Sequence, residues 1–490
     1  MIKNSKILLA LLGASALVVA CNSEYEPAIV TSENVEVSAF SLTADSKVLN
    51  NLDSVFFSID LMNARIFNAD SLPFGTKVDK LIPKITTQSV AVAELIVSRP
   101  GKADTTYNYL TNATDSIDFS NGPVRLRLVS QSGAVERNYE IKVNVHKVKS
   151  DSLEWGGGAI AKLPGGVSGA KESCTVEFGD RFYTLLNTGS SYSVVIQNHP
   201  ASAAVDVVAP ILPYNCLQGL EVNSLHATSD AVYVLGPDGA LLKSSDDRLL
   251  TWDATGCTGW HAIVATYADQ VIGSRQDESG KWTLEYYPSG KSQTLPANFP
   301  VSGTSQTISY RFEMSTSTNV LMAGGRDAEG KLVNYCWSYD GNNWAQLSKN
   351  NIILPSENMT LLPYFTVRTG ADWVSNRFAT LVAFGGVNSL GGVNRTVYIS
   401  YDFGIQWIKA GELMQLPDYV PSTYGSQAFV VDEELPARAG ALFAPSRITR
   451  PVTSWECPYI YVYGGYLADG TLSDNVWRAV INRFTFKPIE

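Results

Sequence analysis

Few side chains in this chain of 490 residues are spaced for chemistry. The four histidines, His146, His199, His226 and His261, share no ligand spacing, and no two of the six cysteines form a Cys-x-x-Cys pair, so histidine and zinc-cluster metal sites are not expected. Gly156-Gly157-Gly158 opens no helix, and no phosphate loop follows it. Oxygen ligands are more promising. Asp327, Asp340 and Asp402 fall in turn-like stretches, where a carboxylate either bonds turn amides or helps to hold calcium, the one ion the sequence leaves open. Arg311, Arg368 and Arg438 have the chemistry to clamp a carboxylate, although arginines in such places more often form salt bridges or cap loops. The aromatic side chains Tyr364, Phe365, Trp373 and Tyr466 can stack on sugar rings, and they suit packing within a fold equally well.

The elements that position these residues recur from residue 150 to the end. The apolar run Thr380–Phe384 reads as a buried strand, Gly385-Gly386 ends it, and a second strand leads to Ser400-Tyr401-Asp402-Phe403-Gly404-Ile405-Gln406-Trp407. The same order appears in Val320–Ala323 with Gly324-Gly325 and then Ser338–Trp344. It returns in Tyr459–Tyr463 with Gly464-Gly465 and then Trp477, and in Ala231–Leu235 followed by Ser245–Trp252. Paired glycines permit positive φ and close backbone approach. Ser400 and Asp402 can bond the turn amides, Gly404 can take the left-handed conformation, and Trp252, Trp344 and Trp407 can fill wedges between sheets. One such unit cannot bury both of its faces, whereas several packed around an axis can.

The Gly-Gly units resemble kelch repeats, and Ser400–Trp407 resembles the Asp-box of sialidase-type propellers. Ser245–Trp252 keeps the Asp-box spacing with Leu249 in place of glycine, and Ser338–Trp344 is one residue short. The resemblance implies a β-propeller. Six blades are placed near 173–213, 220–256, 260–296, 306–355, 361–417 and 437–486, several ending in the same pair, Leu212-Pro213, Leu295-Pro296, Leu354-Pro355 and Leu416-Pro417, and Leu153–Leu163 is expected to supply the outer strand of the last. The resemblance implies no activity, because Asp-boxes are structural in those families. Sialidases of this type need three arginines, a tyrosine nucleophile paired with a glutamate, and an acidic proton donor. Here the Arg-Ile-Pro of their first blade is missing, and Gly169–Ser173 stands in its place.

Composition agrees with an all-β protein: 38 glycines, 23 tyrosines and 17% charged residues. The formal net charge of −10 argues against nucleic acid as a partner. Lys3 and Lys6 precede an apolar run, Ile7–Ala20, which reads as a signal peptide over residues 1–20. Val18-Val19-Ala20-Cys21 resembles the bacterial lipobox, which implies a lipid on Cys21, a tether over 21–33 and an outer-membrane location. Glu24 and Glu26 weakly resemble the surface-export signal of Bacteroides-type lipoproteins. The five other cysteines, Cys174, Cys216, Cys257, Cys336 and Cys457, leave at least one thiol unpaired within the chain, and sequence chooses no pairing.

Residues 34–149 read differently. Val35–Phe40 and Ser54–Asp60 alternate as half-buried strands do, and Arg125–Val129 and Tyr139–Val145 flank a hairpin turn at Gln131–Ala134. A β-sandwich is expected. Asp60, Leu72-Pro73-Phe74-Gly75-Thr76, Leu81-Ile82-Pro83 and Tyr139–Val143 resemble the immunoglobulin-like domains of Bacteroides-type surface lipoproteins, which act as spacers or adhesion modules. The whole order, lipid anchor, sandwich and then propeller over 150–490, resembles a family of such lipoproteins without known activity. The expected function is non-catalytic binding of a glycan or an envelope protein at one mouth of the propeller, without a cofactor unless calcium is held. The alternative is a glycan-active hydrolase or lyase.

Overall fold

The computed structural model describes residues 32–147, 149, 151–163, 169–310, 318–347, 352–369, 375–431, 434–435, 455–456 and 459–482, without the side chains of 365–369, 375–379, 434–435 and 455–456. The expectations placed on residues 1–31 with Cys21, and on Arg311, Trp373, Arg438, Cys457 and the side chains of Phe365 and Arg368, lie outside the described residues. Among the described residues, helix is limited to short 3-10 turns, and they fall into two compact units, one within 32–147 and one from 149 onward.

The first unit is a sandwich of unequal layers. Its six-stranded sheet runs Ser58–Asp60, Arg65–Phe67, Glu136–Lys142, Val124–Ser130, Val90–Val97, Thr105–Asn108, and Val37–Leu42 pairs with Pro83–Thr87 in the smaller sheet. The period-two pattern sets the faces: Val124, Leu126 and Leu128 are buried while Arg125 points out. With Phe40, Leu42, Ile66, Leu95, Tyr139 and Ile141 they form one core. The expected hairpin turn is present, closed by Ser130 N–H to the Val135 carbonyl at 2.9 Å, with Gly133 at φ 74°. Arg65–Phe67 runs parallel to Glu136–Lys142, a pairing that no local pattern announces.

The second unit contains, among the described residues, six antiparallel sheets of four or more strands in chain order, besides two two-stranded ones, Pro300–Ser302 with Arg326–Asp327 and Glu434–Leu435 with Trp455–Glu456. The first four-stranded sheet is Glu172–Phe178, Arg181–Asn187, Tyr192–Gln197 and Asp206–Val208. The second starts at Glu221–Ala227, the third at Trp260–Tyr267, the fourth at Ile308–Tyr310 and the fifth at Glu357–Thr369. The sixth starts at Gln427–Val431, ahead of the 437 expected from sequence, because the short apolar run Ala428–Val431 already pairs with Tyr459–Tyr463. Asn475–Asn482 then takes its outer partners from the other end of the unit: Val480 pairs with Glu154, and Ala161 with Val476. Trp155 follows at 2% exposure, edge-on to Phe384 at 6.1 Å. The ring is therefore closed by strands from both ends, which leaves no open sheet edge at the seam.

The glycine pairs join neighbouring sheets. Gly324, Gly385 and Gly464 have φ between 54° and 70°, and a Cβ on Gly324 would lie 2.6 Å from the Ser356 carbonyl oxygen, at the entry to the next sheet. Gly325, Gly386 and Gly465 accept from the N–H groups of Val333, Asn394 and Ser473 at 2.8–3.0 Å, the same bond three times. In the full Asp-box, Ser400 Oγ donates to Asp402 at 2.8 Å and accepts from Gly404 N–H at 2.8 Å. Asp402 accepts from Gln406 N–H, and Trp407 Nε1–H donates to the Gly404 carbonyl at 3.2 Å. Trp407 is buried with Ile308, Leu321 and Leu381, in the wedge between the fourth and fifth sheets.

The second box is shifted by one residue from its sequence register. Asp246, rather than Asp247, accepts from Arg248, Leu250 and Thr251 N–H at 2.7–2.9 Å, with Ser244 as its serine. One inserted residue restores Leu249 to the glycine position, at φ 50°, and Trp252 Nε1–H donates to its carbonyl at 2.9 Å. In the shortened third box Trp344 is half-buried and donates instead to the Tyr286 hydroxyl at 3.0 Å.

Candidate functional site

Among the described residues, no group of three or more His, Cys, Asp or Glu side chains is placed to hold a metal. The turn aspartates are occupied with their own backbone: Asp327 accepts from Glu329 and Lys331 N–H, and Asp340 from Asn342 and Asn343 N–H. His226 bonds the Ser224 carbonyl through Nδ1 and burial holds its pKa down, while His261 stands edge-on to Trp282. Cys174, Cys216 and Cys257 are free thiols. Tyr364, a candidate for sugar stacking, is 1% exposed and donates to the Ile481 carbonyl, so it packs the fold.

Tyr466 is the sequence candidate that the structure places on an accessible surface. It follows Gly464-Gly465 in the sixth sheet, and its hydroxyl meets Asn223 on the innermost strand of the second sheet, at 3.1 Å from Nδ2 and 3.3 Å from Oδ1. Sheets six and two flank sheet one, so this bond exists only because inner strands converge near the axis. The Tyr466 ring lies against Tyr424 at 5.4 Å. The same mouth is laced by backbone bonds across sheets, Asn358 N–H to Gly303 and Gly425 N–H to Asn358, both 2.7 Å. Gln306 reaches from the fourth sheet to the Ala428 backbone of the sixth at 2.8 and 2.9 Å. A surface held this way is preorganised for binding.

A carboxylate, Glu172, lies within electrostatic reach of Tyr466. Three inner strands begin on glutamate: Glu172, Glu221 and Glu357. Arg326 clamps Glu357 through two bonds of 2.6 and 2.7 Å, and Asn187 donates to Glu172 at 2.6 Å. Among the described residues Glu221 has no such neighbour. Crowding by adjacent strands, and then the charge of Glu172, push its carboxyl above the usual range. Desolvation first, and Glu172 among the later causes, raise Tyr466 to about 12, so it stays a neutral donor and acceptor. The mouth therefore offers two aromatic faces, an amide, a hydroxyl and two neighbouring carboxyl groups. Sequence reasoning found Tyr466 but missed Asn223, Tyr424, Glu172 and Glu221. Their one shared signal is position at or near the start of an inner strand.

The family model described as DUF6242 beta propeller domain matches residues 149–489, and the one described as DUF6242 N-terminal domain matches 31–143. No match to a curated protein was found. Among solved structures, an arginine-substituted AofleA from Arthrobotrys oligospora is 10% identical, covering 69% of this chain and 92% of its own, at a TM-score of 0.38. BamB from Moraxella catarrhalis is 12% identical, covering 87% and 100%, at 0.27. The SapL1 lectin in complex with alpha methyl fucoside is 11% identical, covering 59% and 87%, at 0.32. At this level of likeness no ligand or activity is carried over from them.

Proposed function

This chain belongs to the DUF6242 family, and on that premise we propose that its propeller is a non-catalytic glycan-binding platform of a lipid-anchored envelope protein, spaced from the membrane by the N-terminal sandwich. The observation that carries the reading is the Tyr424–Tyr466 pair at the mouth, with the Tyr466 hydroxyl fixed on Asn223. Aromatic faces beside fixed amide and hydroxyl groups suit the apolar faces and hydroxyl edges of sugar rings. The anchor is Cys21 after the apolar segment Ile7–Ala20, and the location is the outer membrane. The six sheets are read as six blades of one closed ring.

The test uses the chain from residue 22, run on native gels containing host and plant polysaccharides, with each polysaccharide chromatographed afterwards. Retardation without new products, abolished by Tyr466→Ala, supports the platform. No retardation by any polysaccharide removes the glycan and moves the search to an envelope protein by crosslinking.

One observation favours a second reading, glycan hydrolysis or cleavage: the neighbouring carboxyl groups of Glu172 and Glu221, of which Glu221 holds its proton more tightly than usual, as a general acid must. New oligosaccharides in the same chromatograms, lost in Glu221→Gln, would replace the first reading by this one.

A further inference from the structure

A second cleft lies away from the mouth, at the seam where the ring closes. It has a volume of about 480 Å³. One wall comes from the closing segment, Glu154 and Trp155; the other comes from the connection between the fifth and sixth sheets, with Glu412, Leu413, Leu416 and Tyr419. Trp155 is held as a fixed floor by Phe384, and Leu416 is buried, whereas Leu413 is 46% and Tyr419 50% exposed. Apolar surface is therefore presented at the entrance as well as in the floor, with a ring face beside it.

The side chains that line this cleft carry charge of one sign, from Glu154 and Glu412, and among the described residues neither carboxylate has an ion-pair partner, while Arg395 stands behind the wall with its guanidinium donating to the Leu416, Pro417 and Val420 carbonyls. Two carboxylates in one cleft with a tyrosine ring and aliphatic walls form a complement to one kind of group: a cation on an aliphatic stem. The stem would lie along Leu413 and Leu416, and the head would meet the carboxylates and the Tyr419 face. The open rim continues onto Gly156 and Gly157, both exposed and with nothing within 4 Å of a Cβ added to either, so an extended backbone can approach the chain closely there. Nearby in sequence, Ile408–Lys409 forms the outer edge of the fifth sheet with Ile408 exposed.

We propose that this cleft docks an extended peptide segment of a partner protein, one that carries a lysine or arginine among aliphatic residues. The small volume accepts one such side chain, and the open apolar rim takes its neighbours. The site is separate from the mouth and does not depend on what the mouth binds.

The experiment pans phage displaying random twelve-residue peptides against the full chain in detergent, and in parallel against the double variant Glu154→Gln with Glu412→Gln. Glu412 is exposed and Glu154 partly exposed, so the variant is expected to keep its fold, and an unchanged thermal midpoint verifies this. The expected result is a set of peptides retained by the native chain, depleted at least tenfold on the variant, and sharing a lysine or arginine flanked by aliphatic residues. Tyr419→Ala should weaken the same set. The proposal is overturned if no peptide is retained, if the variant retains the same peptides equally, or if the depleted peptides lack a basic residue.

Discussion

At the scale of the residue, the glycine pairs and the turn aspartates make opposite kinds of contribution. Gly324 is required twice over: its φ is 68°, and a Cβ would meet the Ser356 oxygen at 2.6 Å and Met359 Cε at 2.8 Å. Gly391 has φ 77° with nothing within 4 Å. Gly391→Ala should therefore cost about 1 kcal/mol, the penalty for left-handed backbone alone, whereas Gly324→Ala should cost about 3 kcal/mol or more, because a carbonyl of the next sheet must also move. Urea unfolding of the two variants separates them, and equal costs would mean that the inter-sheet contact yields easily. Asp246 works through its charge. Burial pushes its carboxyl up, but hydrogen bonds from the Thr251, Leu250 and Arg248 amides and the Thr251 hydroxyl outweigh this and hold it below the ordinary 3.8. A depressed carboxyl stabilises the fold above its unfolded value and loses that contribution as pH falls through the folded one. Asp246→Asn would point an amide N–H₂ at donors, so it should cost about 1–2 kcal/mol near pH 7. The gap from the native chain should narrow in unfolding curves taken below pH 3.8. A gap independent of pH would place the effect in packing.

At the scale of the element, legibility followed locality. Second strands were readable because Val232–Gly236 and Asn319–Ala323 are short apolar runs, and the box turns were readable because their bonds lie within a few residues. The third sheet has neither glycine pair nor box and was placed by spacing and by its Leu295-Pro296 end. The slipped register at Asp246 was hidden by two adjacent serine–aspartate choices, Ser244 with Asp246 and Ser245 with Asp247. The mouth was illegible for a stronger reason: Asn223 and Tyr466 are 243 residues apart, and only closure of the ring brings them together. Closure itself was legible, since Trp155 stands in a strand-like stretch with no blade before it. Its energetic consequence is testable. Trp155→Ala should cost about 3–5 kcal/mol, the range for emptying a buried aromatic site. Trp344→Ala, at a half-buried tryptophan, should cost less. An opened seam also exposes the Asn475–Asn482 edge, so the Trp155 variant should self-associate on size-exclusion chromatography while the Trp344 variant stays unchanged. Identical behaviour of the two would mean that closure rests on backbone pairing alone.

At the scale of the whole molecule, the proposed reading separates anchoring from recognition. Residues 1–20 supply a basic start and an apolar stretch, Cys21 follows directly, and the sandwich and propeller have their own cores further on. No helix among the described residues is long and apolar enough to cross a membrane. On the proposed reading attachment runs through lipid at one residue. The net charge of −10 opposes adhesion to anionic lipid, which makes that dependence sharper. Cys21→Ser should then move the protein from the membrane pellet to the soluble fraction of fractionated cells and abolish incorporation of labelled fatty acid, while leaving polysaccharide retardation on native gels unchanged. If the variant stays in the pellet, attachment runs through another part of the chain or through a bound envelope protein, and the seam cleft becomes the first place to look for it. If it is released but polysaccharide binding is lost as well, anchoring and recognition are coupled, and the separation proposed here fails.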